Sequence, residues 1–121
     1  MTLLLVMYVT MGLLLSAISV PLILRKVGPN PLYGFRVKQT LENSEVWYAV
    51  NAFAGRGLFV DGLVVVIAAL GMAAIPGISV DRYALSVTFL FFLALGITLV
   101  SSVRYLKRVT SEFDKKRSTA A

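Results

Sequence analysis

Residues 83–103 read YALSVTFLFFLALGITLVSSV, and none of them carries a charge. A helix needs about 20 consecutive apolar residues to cross the hydrocarbon core of a bilayer. Residues 1–24 and 62–80 also lack Asp, Glu, Lys and Arg. Backbone polar groups at membrane depth must be satisfied inside a helix or a closed barrel, and runs such as residues 13–15 (LLL) do not alternate as barrel strands do. The sequence therefore predicts an all-α integral membrane protein, a bundle of three transmembrane helices.

Proline, glycine and charge mark the expected ends of these helices. Residues 27–31 (VGPNP) follow the first helix, Pro76 and Gly77 follow the second, and Arg104 follows the third. The predicted spans are about residues 3–24, 58–75 and 83–103, within one membrane domain that covers residues 1–121. A loop at 25–57 and a basic tail at 104–121 lie outside the membrane in this prediction.

The tail itself divides into two parts. Leu106, Val109 and Phe113 recur at helical spacing among basic residues, so the third helix is expected to continue as an amphipathic segment at the membrane interface. Residues from 115 onward are expected to be disordered. They suit either anionic lipid or a protein partner, and the sequence does not separate these two.

Positive charge gathers on one side of the predicted topology. The chain has 12 Lys and Arg against 6 Asp and Glu, and every basic residue except Arg82 lies in the 25–57 loop or the tail. Cytoplasmic loops carry an excess of Lys and Arg, which predicts an external N-terminus and a cytoplasmic C-terminus. A basic inner face opposite anionic lipid headgroups explains a pI of about 10.0 without a nucleic-acid partner.

Residue types exclude several chemistries. The chain contains no His and no Cys, which removes zinc, haem, thiolate and His-based acid–base mechanisms. It also lacks paired carboxylates at membrane depth, a nucleophile beside a base, and a phosphate-binding glycine loop. We therefore expect neither an enzyme nor a metal or cofactor site.

Small and hydroxyl residues within the spans fall on single helix faces. Gly12 and Ser16 lie four residues apart, as do Ala94, Thr98 and Ser102. Small residues at this spacing let membrane helices approach closely, so we interpret both sets as packing faces. A polar path for a solute is the alternative, and it would need larger polar groups.

Asp61 is the exception among these residues. A carboxylate at membrane depth costs several kcal/mol, so it usually has a partner or a function. We expect an interfacial carboxylate that pairs with Arg56, Arg36 or a basic residue of the tail. The alternative hypothesis is a protonatable or cation-binding site.

The loop at 25–57 contains a turn followed by a helix. Two prolines around Asn30 favour a stiff reversal, and Gly34 supplies the positive φ that a tight turn needs. Phe35 is then expected to enter the membrane interface, and Arg36 to meet a phosphate or an acid.

Either Thr40 or Asn43 can cap the following helix, whose first turn is acidic. Its apolar stripe would hold Trp47 at headgroup level. Glycines on both sides of Arg56 allow this short amphipathic helix to bend into the second span.

The sequence of this loop resembles the signature of the SdpI family. These are small bacterial integral membrane proteins named for an immunity protein against a sporulation-associated toxin. The residues that carry the resemblance are Asn30, Tyr33, Gly34, Phe35, Arg36, Thr40, Leu41, Glu45, Trp47 and Asn51. Val37 departs from the pattern, because a Thr commonly follows the Arg in this family. The family's naming member also looks longer, with extra membrane helices before this region.

The resemblance implies a bacterial plasma-membrane protein that protects against, or senses, a membrane-active peptide. In that family, engagement of the toxin is linked to holding a cytoplasmic repressor at the membrane. An alternative is a small accessory subunit docked to a larger membrane complex, or a homo-oligomer. A weaker alternative is a proton- or cation-coupled transporter that uses Asp61.

Overall fold

The computed structural model describes residues 1–120, which form four α-helices without a strand. These are α1 (Thr2–Ile23), α2 (Lys38–Glu42), α3 (Ser44–Ala73) and α4 (Val80–Ala120). Helices α1, α3 and α4 are each long and apolar enough to cross a membrane. The predicted all-α fold with three long apolar helices is confirmed.

Helix α3 is the centre of the bundle, because it packs against both α1 and α4. A third of its most apolar window, 33%, is buried inside the protein, against 17% for α1 and 6% for α4. The three helices alternate in direction. We call one end of the bundle the basic end: α1 and α4 finish there, α3 begins there, and the 25–57 loop and the tail lie there. We call the other end the opposite end.

The opposite end is closed by an apolar cluster in which all three long helices meet. Its buried members are Val65, Ala69, Tyr83 and Val87. The hydroxyl of Tyr83 donates to the carbonyl of Ala69 at 3.0 Å, and that of Tyr8 lies 2.8 Å from the hydroxyl of Thr88. These bonds satisfy phenol groups that would otherwise be buried without partners.

Close approach of α1 and α3 depends on small residues. A Cβ added to Gly12 would lie 2.6 Å from the carbonyl oxygen of Gly62, and one added to Gly62 would clash with the hydroxyl of Ser16. That hydroxyl donates to the carbonyl of Phe59 at 2.9 Å. The packing role predicted for Gly12 and Ser16 is confirmed, and Gly62 is the matching residue on α3.

Helix α3 is continuous from the loop into the bundle, so the expected bend around Arg56 is wrong. The flanking glycines serve packing instead. A Cβ on Gly55 would lie 3.1 Å from the Ile23 side chain, and one on Gly57 would lie 2.6 Å from the Thr98 side chain. At about 1.5 Å per residue, its 30 residues exceed the thickness of a hydrocarbon core of about 30 Å.

Helix α4 continues past Arg104, as predicted; the whole helix has 41 residues and ends at Ala120. Leu106 and Val109 are buried against Val46 and Val50 of α3, and Phe113 packs beside them. The apolar stripe of the tail therefore faces another helix rather than a membrane interface. The basic end has an apolar cluster of its own.

The expectation of disorder is wrong for residues 115–120, because the helix includes them; residue 121 lies outside the described residues. Polar groups near the end stay within the helix: the hydroxyl of Thr119 donates to the carbonyl of Lys115 at 2.9 Å. The ammonium of Lys116 lies 5.7 Å from the centre of the Phe113 ring, a cation–π distance.

Candidate functional site

Asn30 forms the turn that begins the motif loop. Its side-chain oxygen accepts from the N–H groups of Leu32 and Tyr33 at 2.8 and 2.9 Å, and its amide donates to the carbonyl of Gly28 at 2.8 Å. Asparagine favours such turns because its short side chain bonds the backbone two residues on. This motif residue therefore shapes the chain and leaves its neighbours to make the contacts.

Asn51 ties the loop to α3. Its side-chain oxygen accepts a short hydrogen bond from the N–H of Phe35, and its amide donates to the carbonyls of Trp47 and Phe35 at 3.0 and 3.4 Å. The side chain is 1% exposed, and a buried amide with both ends bonded fixes the loop in one position. The Asn51 side chain is thus a structural latch.

Trp47 lies under the loop, so its predicted place among lipid headgroups is wrong. Its side chain is completely buried, and its indole N–H donates to the carbonyl of Val27 at 2.7 Å. Gly34 crosses above it with a φ of +118°, as the sequence predicted for that glycine. A Cβ there would lie 2.8 Å from the indole ring, so only glycine satisfies both the backbone and the packing.

Thr40 and Asn43 divide the capping work between two helices. The hydroxyl of Thr40 accepts from the N–H of Val37 at 3.0 Å and is 2.9 Å from the carbonyl of Phe35. Asn43 caps α3 by accepting from the N–H groups of Glu45 and Val46. Of the two candidates for the cap of the Trp47 helix, the structure selects Asn43.

Four motif residues are exposed at the surface of the basic end: Tyr33, Arg36, Leu41 and Glu45. Tyr33 is 36% exposed and Arg36 is exposed, while Phe35 packs partly against the apolar cluster of the basic end rather than entering a membrane interface. The other members of the signature, from Asn30 to Asn51, build the loop. The exposed motif side chains are therefore a phenol, a guanidinium, a leucine and a carboxylate.

Beside the loop lies a cleft of about 320 Å³, which we call the three-helix cleft. All three long helices and the motif loop line it: Ile18, Ser19, Leu22, Tyr33, Gly34, Phe35, Asn51, Ala54, Leu58, Leu95, Thr98, Leu99 and Ser102. Its walls are mainly apolar, and its volume falls within the range of small-molecule sites.

Asp61 faces α4 at a separate groove, which Arg56 and Thr98 also line. The Thr98 hydroxyl donates to its carboxylate at 2.6 Å, and the Asp61 side chain is 4% exposed. Within residues 1–120 this hydroxyl is the side-chain partner of the carboxylate, rather than the predicted Arg56, Arg36 or a basic residue of the tail. Arg56 itself is exposed.

The sequence did single out Thr98, because this residue lies at the centre of the helix face that runs from Ala94 to Ser102. Its spacing identified a packing residue, and Gly57 does pack against it. Spacing along α4 carries no information on which residue of α3 lies opposite. The contact with Asp61 therefore needed the fold.

A comparison of the chain with known protein families gives the same family as the motif in the loop. A model of the SdpI/YfhL protein family matches residues 26–105, which include the loop, α3 and the membrane part of α4. This chain belongs to the SdpI/YfhL family. The match confirms the family that the motif suggested, and with the three apolar helices it identifies a multi-pass membrane protein of that family.

Searches of curated proteins and of solved structures found no match. Within the SdpI/YfhL chain, the matched residues begin just after α1 and end at Tyr105 within α4. The structure adds that α1 lines the three-helix cleft although the whole of this helix lies outside the match.

Proposed function

We propose that this SdpI/YfhL protein is a non-enzymatic plasma-membrane protein that protects against, or senses, a membrane-active peptide. In this proposal the peptide meets the membrane helices, and the basic end faces the cytoplasm, where it binds a partner protein. The orientation rests on the positive-inside rule. The protective role is the expectation that family membership gives.

The observation that carries the proposal is the continuity of α3 and α4 through both parts of the molecule. Each helix begins or ends in the apolar cluster of the basic end and also contributes to the cluster of the opposite end. A displacement of either helix in the membrane would therefore move residues at the basic end, because packed interiors transmit strain. The Asn51 latch and Trp47 attach the motif loop to the same helix.

The output surface in this proposal consists of exposed basic groups near the loop and the tail. Arg36, Arg56 and Arg104 are exposed at the basic end, as are Lys107 and Arg108. Charges at the rim of an interface govern partner choice and association rate more than affinity. An acidic surface on the partner fits this arrangement.

The test is survival of a toxin-sensitive bacterial host that expresses the full chain and is challenged with a pore-forming peptide. We expect increased survival relative to the empty vector. Arg108→Gln should weaken any transcriptional response of the host to the peptide, whereas Arg82→Gln, at the opposite end, should not. Unchanged survival with wild-type protein in the membrane would contradict the proposal.

A second candidate is an accessory subunit, favoured by how little of α4 the protein covers: 6% of its most apolar window is buried. Membrane helices associate by close packing of such faces. Purification in a mild detergent separates the candidates. A stoichiometric larger membrane partner would favour the subunit, and a monomer or homo-oligomer would oppose it.

A further inference from the structure

We infer that the three-helix cleft binds one acyl chain of an anionic phospholipid, with the phosphate of that lipid at Arg36. The lipid comes from the leaflet at the basic end. This inference rests on the cleft and its rim. It assigns Arg36 to lipid phosphate, which leaves the exposed Arg56, Arg104, Lys107 and Arg108 for the partner of the proposed function.

The walls of the cleft suit hydrocarbon because the hydroxyl groups of their Ser and Thr residues are already bonded. Ser19 donates to the carbonyl of Ser16 at 2.6 Å, and Ser102 donates to the carbonyl of Thr98 at 2.7 Å. The hydroxyl of Thr98 donates to Asp61. A polar solute or an ion would find few groups there to replace its hydration, whereas a CH₂ chain needs none.

The side-chain amide of Asn51 is likewise already hydrogen-bonded, to the loop and to its own helix. The remaining lining comes from apolar side chains such as Leu22, Leu58 and Leu95. The cleft is therefore apolar in chemistry as well as in composition.

Size and access favour a lipid chain over a helix. The cleft opens beside Ile18 and Leu99, which are 52% and 57% exposed on the outer faces of α1 and α4. An α-helix with its side chains is about 10–12 Å across, too wide for a cleft of about 320 Å³. A single acyl chain can enter from the side that faces the bilayer.

The rim supplies the charge that selects the headgroup. Arg36 directly follows Phe35 of the cleft wall and is exposed. A guanidinium binds phosphate oxygens in a bidentate manner. Basic side chains near a membrane surface attract anionic lipids, so the cleft and its rim match the two halves of an anionic phospholipid.

The test uses the full chain in vesicles of phosphatidylcholine with a minor fraction of phosphatidylglycerol. Either lipid carries a photoactivatable diazirine midway along an acyl chain, and cross-linked residues are identified by mass spectrometry. We expect phosphatidylglycerol to label the cleft several-fold more than lipid-facing positions such as Ile67. Arg36→Gln should lower the preference for phosphatidylglycerol by up to about five-fold.

Two matched controls make the result specific. Arg82→Gln removes the same charge at the opposite end and should leave the preference unchanged. Leu99→Trp, at the mouth of the cleft, should reduce labelling of Leu22 and Leu58, whereas Leu93→Trp, outside the cleft on the same helix, should not. Each variant is compared with wild type for thermal unfolding, so that loss of labelling is read only from folded protein.

Three results would overturn the inference. One is labelling spread evenly around α1 and α4, the behaviour of ordinary boundary lipid. Another is labelling of the cleft without a headgroup preference. A third is an unlabelled cleft in a preparation that is dimeric, because a second copy would then cover it.

Discussion

The indole ring of Trp47 lies directly beneath Gly34, whose backbone takes a φ of +118°. This contact joins the motif loop to α3 at a point where a Cβ has neither space nor a favourable backbone conformation. It explains why the two residue types occur together in the motif. It also gives the loop a spectroscopic reporter, because Trp47 is the single tryptophan of the chain.

Gly34→Ala should therefore loosen the loop. The left-handed backbone alone costs an alanine about 1–2 kcal/mol, and the clash with the indole adds about 1–3 kcal/mol. Thermal unfolding in detergent should occur at lower temperature, with Trp47 emission shifted to longer wavelength before global unfolding. Gly77→Ala is the control, because Gly77 has a φ of +74° but no atom near its Cβ position; an equal loss in both variants would contradict the packing argument.

The crossing of α1 and α3 predicts a large effect from one methyl group at Gly62. Gly62→Ala would collide with Ser16 and Gly12, and overpacking of this kind costs about 1–3 kcal/mol. Gly71→Ala on the same helix has open space and should be neutral or slightly stabilising by helix propensity. The measurement is the unfolding temperature of each variant in the same detergent, and similar temperatures for both would show that the helices do not approach so closely.

The Thr98–Asp61 hydrogen bond predicts a difference between two substitutions at Asp61. Asp61→Asn keeps an oxygen that accepts from Thr98 and should leave stability nearly unchanged, whereas Asp61→Ala leaves the hydroxyl unpaired at a cost of about 1–3 kcal/mol. Unfolding temperatures of the two variants check this. The same Asp61→Asn variant tests transport, since a proton- or cation-coupled mechanism would lose its uptake or efflux phenotype and a packing role would not.

Replacing Val37 by Thr, the residue type that is common at this position in the family, should raise the stability of the protein. Val37 is the N-cap of α2 with an extended backbone, and the N–H of Thr40 already donates to its carbonyl. Val37→Thr therefore adds a hydroxyl that can accept from the N–H of Gln39, a contribution of about 0.5–2 kcal/mol. Val37 also packs against the apolar cluster of the basic end, so the loss of one methyl group removes about 0.8 kcal/mol of that gain. Val37→Thr should unfold above Val37→Ala in a thermal scan; the reverse order would show that packing, not capping, governs this position.

The orientation predicts which end an impermeant thiol reagent reaches. The chain has no cysteine, so Ser111→Cys at the basic end and Ile75→Cys at the opposite end, both at exposed positions, each carry one reactive thiol. In intact cells the reagent should modify Ile75→Cys alone, and after permeabilisation it should modify both. Modification of Ser111→Cys in intact cells would reverse the proposed topology.

The sequence by itself determined the architecture and the family. Uncharged stretches such as residues 83–103 have to be helices in lipid, where the backbone must bond within its own segment. The reversal at Asn30 and the positive φ of Gly34 were also predictable, because they depend on local conformational preferences.

Only the tertiary structure decided what the motif residues contact. Trp47 was predicted for a membrane interface, and the tail stripe of Leu106 and Val109 likewise, yet both are buried by other parts of the chain. A buried stripe and an interfacial stripe have the same periodicity, since burial by protein and burial by lipid remove the same apolar surface from water. The pairing of Asp61 with Thr98 joins residues 37 positions apart, and only the packing of α3 on α4 brings them together.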